Sequence, residues 1–311
     1  MIPRCCEQAI PRQCRAVLFW AVLFLAGCGN NNGSTGPEYS ASPKAGSEQS
    51  YYLAVHPLYN PAKLHQAYQP LVDYLNSHVK GFSFTLQASR DYADFEKKYL
   101  ERKIEFILPN PFQTLQAMKT GYHVIATAGD PADFKGIFVV RKDSGIKRPV
   151  DLKGKAVSYP SPTALAACIM PQYFLFLNGV DVNRDIVNQY VGSQESSIMN
   201  VFLGKTAAGA TWPPPWRFFR KEYPQQAAEL RVIWETDSLI SNALMARDDM
   251  PVAVVEQLRR LLVGLDKTPA GKAILAKMET ARFISAVDQD YALVRDYLSR
   301  FERSVRKVDL Q

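Results

Sequence analysis

Short apolar runs of strand length alternate with amphipathic stretches of helix length along most of this chain. Tyr51–Val55, Phe82–Leu86, Ile104–Leu108 and Tyr122–Ala126 are strand-like. Between them lie helical stretches, the first with Leu64, Ala67, Tyr68, Leu71 and Leu75 at helical spacing. The same alternation returns after a turn at Arg141–Gly145. Strands follow at Ala156–Tyr159, Val187–Val191 and Thr206–Thr211, with helices between them. Such alternation predicts a largely parallel sheet with helices on its faces. Two blocks of it, then return strands at Arg231–Trp234 and Ala243–Arg247 and a mostly helical end from Pro251, predict two α/β lobes with a cleft between them. The predicted lobes are 51–140 plus 240–311, and 141–239, with chain crossings near Val140 and Leu239.

The body, about 260 residues from Tyr51, is long enough for two cores of ordinary size. What precedes it reads differently. Arg4, Arg12 and Arg15 lead into the apolar run Ala16–Leu25, which is shorter than the roughly 20 residues needed to span a bilayer. This pattern predicts a secretory leader over residues 1–27. It closes on Leu25-Ala26-Gly27-Cys28, which resembles a bacterial lipobox and predicts a lipid on Cys28. Residues 28–50, rich in Gly, Ser, Asn and Pro, have almost nothing to bury and predict a flexible tether.

The formal charge is +7, and the leader's three Arg and one Glu leave +5 for the rest. These charges are scattered, not gathered into the basic patch that nucleic acid requires. Cys5, Cys6 and Cys14 fall in the leader, so with Cys28 lipidated only Cys168 remains in the body and no internal disulfide forms. His56, His65, His78 and His123 lack metal-ligand spacing, so no metal or cofactor is expected. There is no Gly-x-Ser-x-Gly elbow, no His-Glu-x-x-His and no paired acids in a plausible loop, which argues against an enzyme.

Ligands of such folds bind beyond the carboxyl ends of strands, at helix N-termini. That rule places the site in the loops at Asn60, Tyr92, Pro109–Phe112, Ser161–Ala164, Ser193–Glu195 and Thr211–Trp216. Ser161 followed by Pro162 reads as an N-cap with proline at the first helical position. Pro171 should kink that helix. Trp212-Pro213-Pro214-Pro215-Trp216 reads as a rigid loop whose indoles either wall the cleft or form a hinge surface, with Arg217 as a possible anion clamp. Cys168, on an apolar stretch, reads as a small buried residue rather than a thiol ligand.

Several segments together resemble the phosphate/phosphite/phosphonate-binding family of periplasmic receptors, which has the type II binding-protein fold. They are Tyr68-Gln69-Pro70-Leu71-Val72-Asp73-Tyr74-Leu75, Asp91-Tyr92-Ala93, Asp151-Leu152-Lys153-Gly154-Lys155, Ser161-Pro162-Thr163-Ala164, Phe176-Leu177-Asn178-Gly179-Val180 and Gly192-Ser193-Gln194-Glu195. The resemblance implies a two-lobed α/β receptor, lipid-anchored outside the cytoplasm, monomeric, capturing a small oxyanion for an ABC permease or reporting it to a sensor kinase. It implies ligand contact by Tyr92 and by the hydroxyls of Ser161 and Thr163 beside Ala164. Asn110 follows Pro109, which stands near another family tyrosine, and Gln194 stands where the family often has a histidine. Thr211 and Trp212 complete the expected set. Pro215 and Asn242 stand where amine-binding members carry carboxylates, which implies a ligand without an amine.

Overall fold

The computed structural model describes residues 49–310, so the expected leader, lipid anchor at Cys28 and most of the tether lie outside the described residues. The described chain forms two sheets. The first is built from β1 (Gln49–Val55), β2 (Phe82–Gln87), β3 (Phe106–Leu108), β4 (Tyr122–Ala128), β10 (Asn242–Arg247) and β11 (Phe283–Ser285), in the order β11-β4-β10-β3-β1-β2. The second is built from β5 (Ile137–Arg141), β6 (Ala156–Tyr159), β7 (Val187–Tyr190), β8 (Ala208–Thr211) and β9 (Leu230–Glu235), in the order β7-β6-β8-β5-β9. β1 pairs in parallel with both β2 and β3, and β6 with both β7 and β8, as the alternating pattern requires. The return strands β10 and β9 pair antiparallel with their neighbours, so each sheet is mixed. This is the two-lobed α/β architecture that the pattern predicts.

Helices α1 (Pro61–His78), α2 (Tyr92–Leu100) and α3 (Pro111–Met118) belong to the first sheet's connections. α1 buries Leu64, Ala67, Tyr68, Leu71, Val72 and Leu75, one stripe at helical spacing. In the second lobe a π-helical turn, Leu165–Ile169, continues into α4 (Met170–Leu177), followed by α5 (Gln194–Phe202), α6 (Pro213–Glu222) and α7 (Pro224–Ala228). The chain then returns to the first sheet and ends in α8 (Val252–Val263), α9 (Pro269–Lys277) and α10 (Ala292–Ser304).

The crossings differ in one respect from the expected boundary at Val140. β5 lies in the second sheet, so the outgoing crossing is residues 129–136 and the return is 236–241. The two segments hold each other. The Gly136 N–H donates to Thr236 Oγ1, the Thr236 N–H to the Gly136 carbonyl, and the Leu239 N–H to the Phe134 carbonyl, each at 2.9 Å. A Cβ on Gly136 would stand 2.5 Å from the Ala166 carbonyl and 2.8 Å from the Pro171 ring, so the crossing approaches the π-turn more closely than a side chain permits. The C-terminal segment also reaches the second lobe. Tyr173 of α4 meets Tyr297 of α10 edge-on at 5.4 Å, and Arg306 donates to the Pro162 carbonyl and to Gln172.

Candidate functional site

Five helix starts converge where the carboxyl ends of the two sheets face each other. Four capping patterns explain why each helix begins where it does. Asp91 caps α2, its Oδ1 accepting the Asp94 N–H at 2.9 Å. Asn110 caps α3 in a reciprocal box with Gln113. Ser193 caps α5 through the Ser196 N–H. α6 begins with Pro213, Pro214 and Pro215, which have no N–H to satisfy. The fifth start, at Leu165, has no side-chain cap. Its first N–H groups lack intrahelical partners by construction, and the helix dipole adds positive potential there.

A cavity of about 10 Å³ lies between these starts. Its walls are His56, Tyr92 and Asn110 from one lobe, Ala164–Ala167, Gln194 and Trp212 from the other, and Phe134 and Asn242 at the crossings. A second cavity of similar size adjoins it, sharing Trp212 and Asn242. Larger grooves of about 730 and 330 Å³ lie elsewhere, each lined in part by charged side chains.

The polar side chains of the cavity are ordered by one another. Gln194 accepts from Thr211 Oγ1 at 2.8 Å and donates through Nε2 to the Tyr92 hydroxyl at 3.3 Å. Tyr92 Oη is thus an acceptor from Gln194 and keeps its own hydrogen to donate. Burial pushes the Tyr92 phenol up, so it stays protonated. Asn110 spends its oxygen on the α3 cap and donates Nδ2 to the Thr163 carbonyl across the seam at 3.2 Å. His56 Nδ1 lies 2.9 Å from the Leu108 carbonyl. A carbonyl only accepts, so Nδ1 carries the proton. Burial lowers the ring's pKa to about 4, against the smaller opposing effect of that bond, and leaves Nε2 as an acceptor. Asn242 Oδ1 is buried without a hydrogen-bond partner.

The structure gathers Tyr92, Asn110, Ala164, Gln194 and Trp212 around one cavity, with Thr211 one bond behind, orienting Gln194. Ser161 and Thr163 are not among its lining residues. The helix expected to start at Ser161-Pro162 starts at Leu165 instead: Ser161–Ala164 folds into a turn, the Ala164 N–H donating to the Ser161 carbonyl and the Thr163 N–H to Ser161 Oγ, each at 3.2 Å, and Ala164 is extended. Thr163 Oγ1 donates to Glu96 Oε1 at 2.6 Å and lies 2.9 Å from Ser161 Oγ. Glu96 is fully buried and also accepts from Gln113 Nε2 at 3.0 Å. The π-turn then delivers the chain to Pro171 in the first turn of α4, where its missing N–H is tolerated.

Two further expectations change. Trp212–Trp216 is not a loop. Trp212 precedes α6 and lines both cavities, whereas Trp216 stacks on Phe219 inside the second lobe. Arg217 is not aimed at the cavity. It pairs with Asp133 at 2.8 Å and Glu279 at 3.0 Å, and Lys221 also reaches Glu279, so these groups tie α6 to the first lobe and the crossing. Lys63 likewise bridges α1 to Glu195 and Tyr223 of the second lobe, at 2.7 and 2.9 Å. Cys168 is buried, as its apolar surroundings suggest. Sequence reasoning missed His56, Glu96 and the Leu165–Ala167 backbone. The Pro57 that follows His56, ending β1, was the one available signal for the first.

Two mixed sheets, a paired double crossing and helix starts facing one interlobe cavity define a type II periplasmic binding-protein fold. The sequence over residues 53–291 matches the family described as "ABC transporter, phosphonate, periplasmic substrate-binding protein", and the chain belongs to that family. It is 27% identical over 186 residues to a probable ABC transporter phosphite-binding protein, PhnD1, of Prochlorococcus marinus, covering 56% of this chain and 63% of that one. It is 21% identical over 175 residues to the phosphonates-binding periplasmic protein of Escherichia coli, covering 55% of this chain and 52% of that one. The matches therefore span between half and two thirds of these relatives' length. The structure of Prochlorococcus marinus PhnD1 in complex with methylphosphonate superposes with a TM-score of 0.75 at 20% identity, over 82% of this chain and 99% of that one. Among the described residues no helix is long and apolar enough to cross a membrane.

Proposed function

We propose that this chain is the substrate-binding component of an ABC importer and captures a small phosphorus oxyanion by closure of its two lobes. The observation that carries the reading is the uncapped helix start at Leu165–Ala167, which faces a Tyr92 hydroxyl whose hydrogen is free to donate. Backbone N–H groups at a helix start, with the dipole behind them, bind an anion without a cationic side chain. An oxyanion touching both walls favours the closed arrangement by its differential contacts.

The ligand class in this reading carries no amine. Asp133 and Glu279 are the carboxylates lining the second cavity, and both are committed to Arg217. Pro215 and Asn242 supply no charge for an ammonium. The reading also makes the chain a receptor rather than an enzyme, held outside the cytoplasm and facing the periplasm by a lipid on Cys28.

A thermal-shift series on the full chain tests this. Methylphosphonate, phosphite and phosphate are compared with sulfate and aminoethylphosphonate. At a hundredfold excess over Kd a ligand adds about 2.7 kcal/mol, which raises the melting temperature by roughly 5–10 °C. The shift is expected with amine-free phosphorus oxyanions. A shift with aminoethylphosphonate alone, or with none of the five, overturns the reading.

A further inference from the structure

The cavity offers acceptors as well as donors, and a fully ionised oxyanion has nothing to give an acceptor. His56 Nε2 is an acceptor, because Nδ1 is spent as a donor on the Leu108 carbonyl. Asn242 Oδ1 is an acceptor with no partner, on a residue only 3% exposed. Both residues line the cavity. No lysine or arginine does. Behind Asn110 stands the buried Glu96 carboxyl, which accepts from Thr163 Oγ1 and Gln113 Nε2. Leaving a buried acceptor unpaired costs about 1–3 kcal/mol.

We propose that the site takes its oxyanion with one hydrogen still attached, as the singly charged acid form, and that Asn242 or His56 accepts from that hydroxyl. The inference rests on the phosphorus-oxyanion reading above and deepens it. In a hydrogen phosphonate one oxygen donates while the others accept. The donating oxygen pairs with Asn242 Oδ1 or His56 Nε2. The accepting oxygens face the N–H groups of Leu165–Ala167 and the Tyr92 hydroxyl. A sulfonate of the same shape and charge has no such hydrogen.

Affinity then follows the ligand's own second ionisation. Only the protonated fraction binds, so the apparent Kd rises about tenfold per pH unit above that ionisation. The groups facing the cavity do not produce this slope between pH 6 and 9. His56 is lowered to about 4, while Tyr92 and Cys168 are raised by burial, the latter to about 12 despite Arg306 beside its Sγ. Around Asn242, Tyr68 and Tyr291 are raised by burial, and Asp133 and Glu279 form ion pairs with Arg217. Glu96 lies behind Asn110 and is tested directly.

Calorimetric titration of the full chain with methylphosphonate and with methanesulfonate, from pH 6 to 9, reads the proposal. The expected result is at least tenfold tighter binding of methylphosphonate at pH 6, weakening about tenfold per unit above its second ionisation. The slope persists in Glu96→Gln, because it belongs to the ligand. In Asn242→Leu the preference over methanesulfonate shrinks severalfold. Equal binding of the two ligands, a flat or rising affinity with pH, or a slope that vanishes in Glu96→Gln overturns the proposal and leaves the functional reading standing. Absence of binding by either ligand at every pH overturns both.

Discussion

The two walls of the cavity are built from the same kind of element, and one start on the second lobe is treated differently from both on the first. On the first lobe, α2 and α3 begin at the cavity, but Asp91 accepts from the Asp94 N–H and Asn110 from those of Phe112 and Gln113. On the second lobe the helix that begins at Leu165 has no cap, and its first residues line the cavity directly. On that same second lobe Ser193 caps α5, so the contrast is between these capped starts and the one at Leu165. A helix start left bare in a buried place destabilises a protein unless something else meets its donors. The asymmetry teaches that proximity of a helix start to a cavity is not enough. What matters is whether its N–H groups are already spent.

The largest effect expected from this contrast comes from removing one second-lobe donor. Ala164 has an extended backbone, φ −74° and ψ 103°, which suits a residue before proline. Leu165→Pro removes an N–H at a position where helices accept proline. Loss of a hydrogen bond to a charged ligand predicts a decrease in binding of about 1.5–3 kcal/mol, roughly 10- to 150-fold in Kd. Leu165→Ala loses the same buried side chain and keeps the N–H, so it should unfold more easily than the parent yet bind within a few-fold of it. Titration calorimetry beside thermal unfolding separates the two. Equal affinity of the two variants would break the contrast between the capped starts and the one at Leu165.

A smaller and opposite effect is expected on the first lobe. Asp91→Ala uncaps α2 and should cost about 1 kcal/mol of stability, with no loss of affinity for methylphosphonate. The cap also has a pH signature. The Asp94 N–H bond and Arg90 hold the Asp91 carboxyl below its usual range, against a modest opposing effect of burial. A folded value lower than the unfolded one means the contribution is present above the unfolded pKa and is lost as pH falls through the folded one. The stability gap between parent and variant should therefore narrow in acid, as denaturant unfolding at several pH values would show. A gap that widens in acid contradicts the cap assignment.

Much of this was legible in the sequence, for identifiable reasons. Strand and helix spacing carried the two sheets, because apolar period follows directly from which face is buried. Tyr92, Asn110, Gln194 and Trp212 were legible because each sits at the first turn after a strand. Ser161 and Thr163 misled because Ser-Pro at the head of an apolar run satisfies every local rule for a helix start. That segment instead folds into a local turn closed by the Ala164 N–H on the Ser161 carbonyl, and Glu96, far away in sequence, accepts from the Thr163 hydroxyl. The triple proline misled in the opposite direction. Three prolines read as a loop, yet at positions without an N–H requirement they open α6. Arg217 looked like a free anion clamp because its partners Asp133 and Glu279 are distant in the chain. The bare backbone of Leu165–Ala167 could not be read from side chains, since its chemistry lies in groups every residue carries.

The central claim is that the anion is met by the backbone of the second-lobe helix start. The most direct test is an amide nitrogen–proton spectrum of the labelled full chain, recorded with and without methylphosphonate. The account predicts large downfield proton shifts at Leu165, Ala166 and Ala167, with little change at the already capped N–H groups of Asp94 and Gln113. Shifts confined to other residues, with Leu165–Ala167 unmoved at saturation, would contradict it.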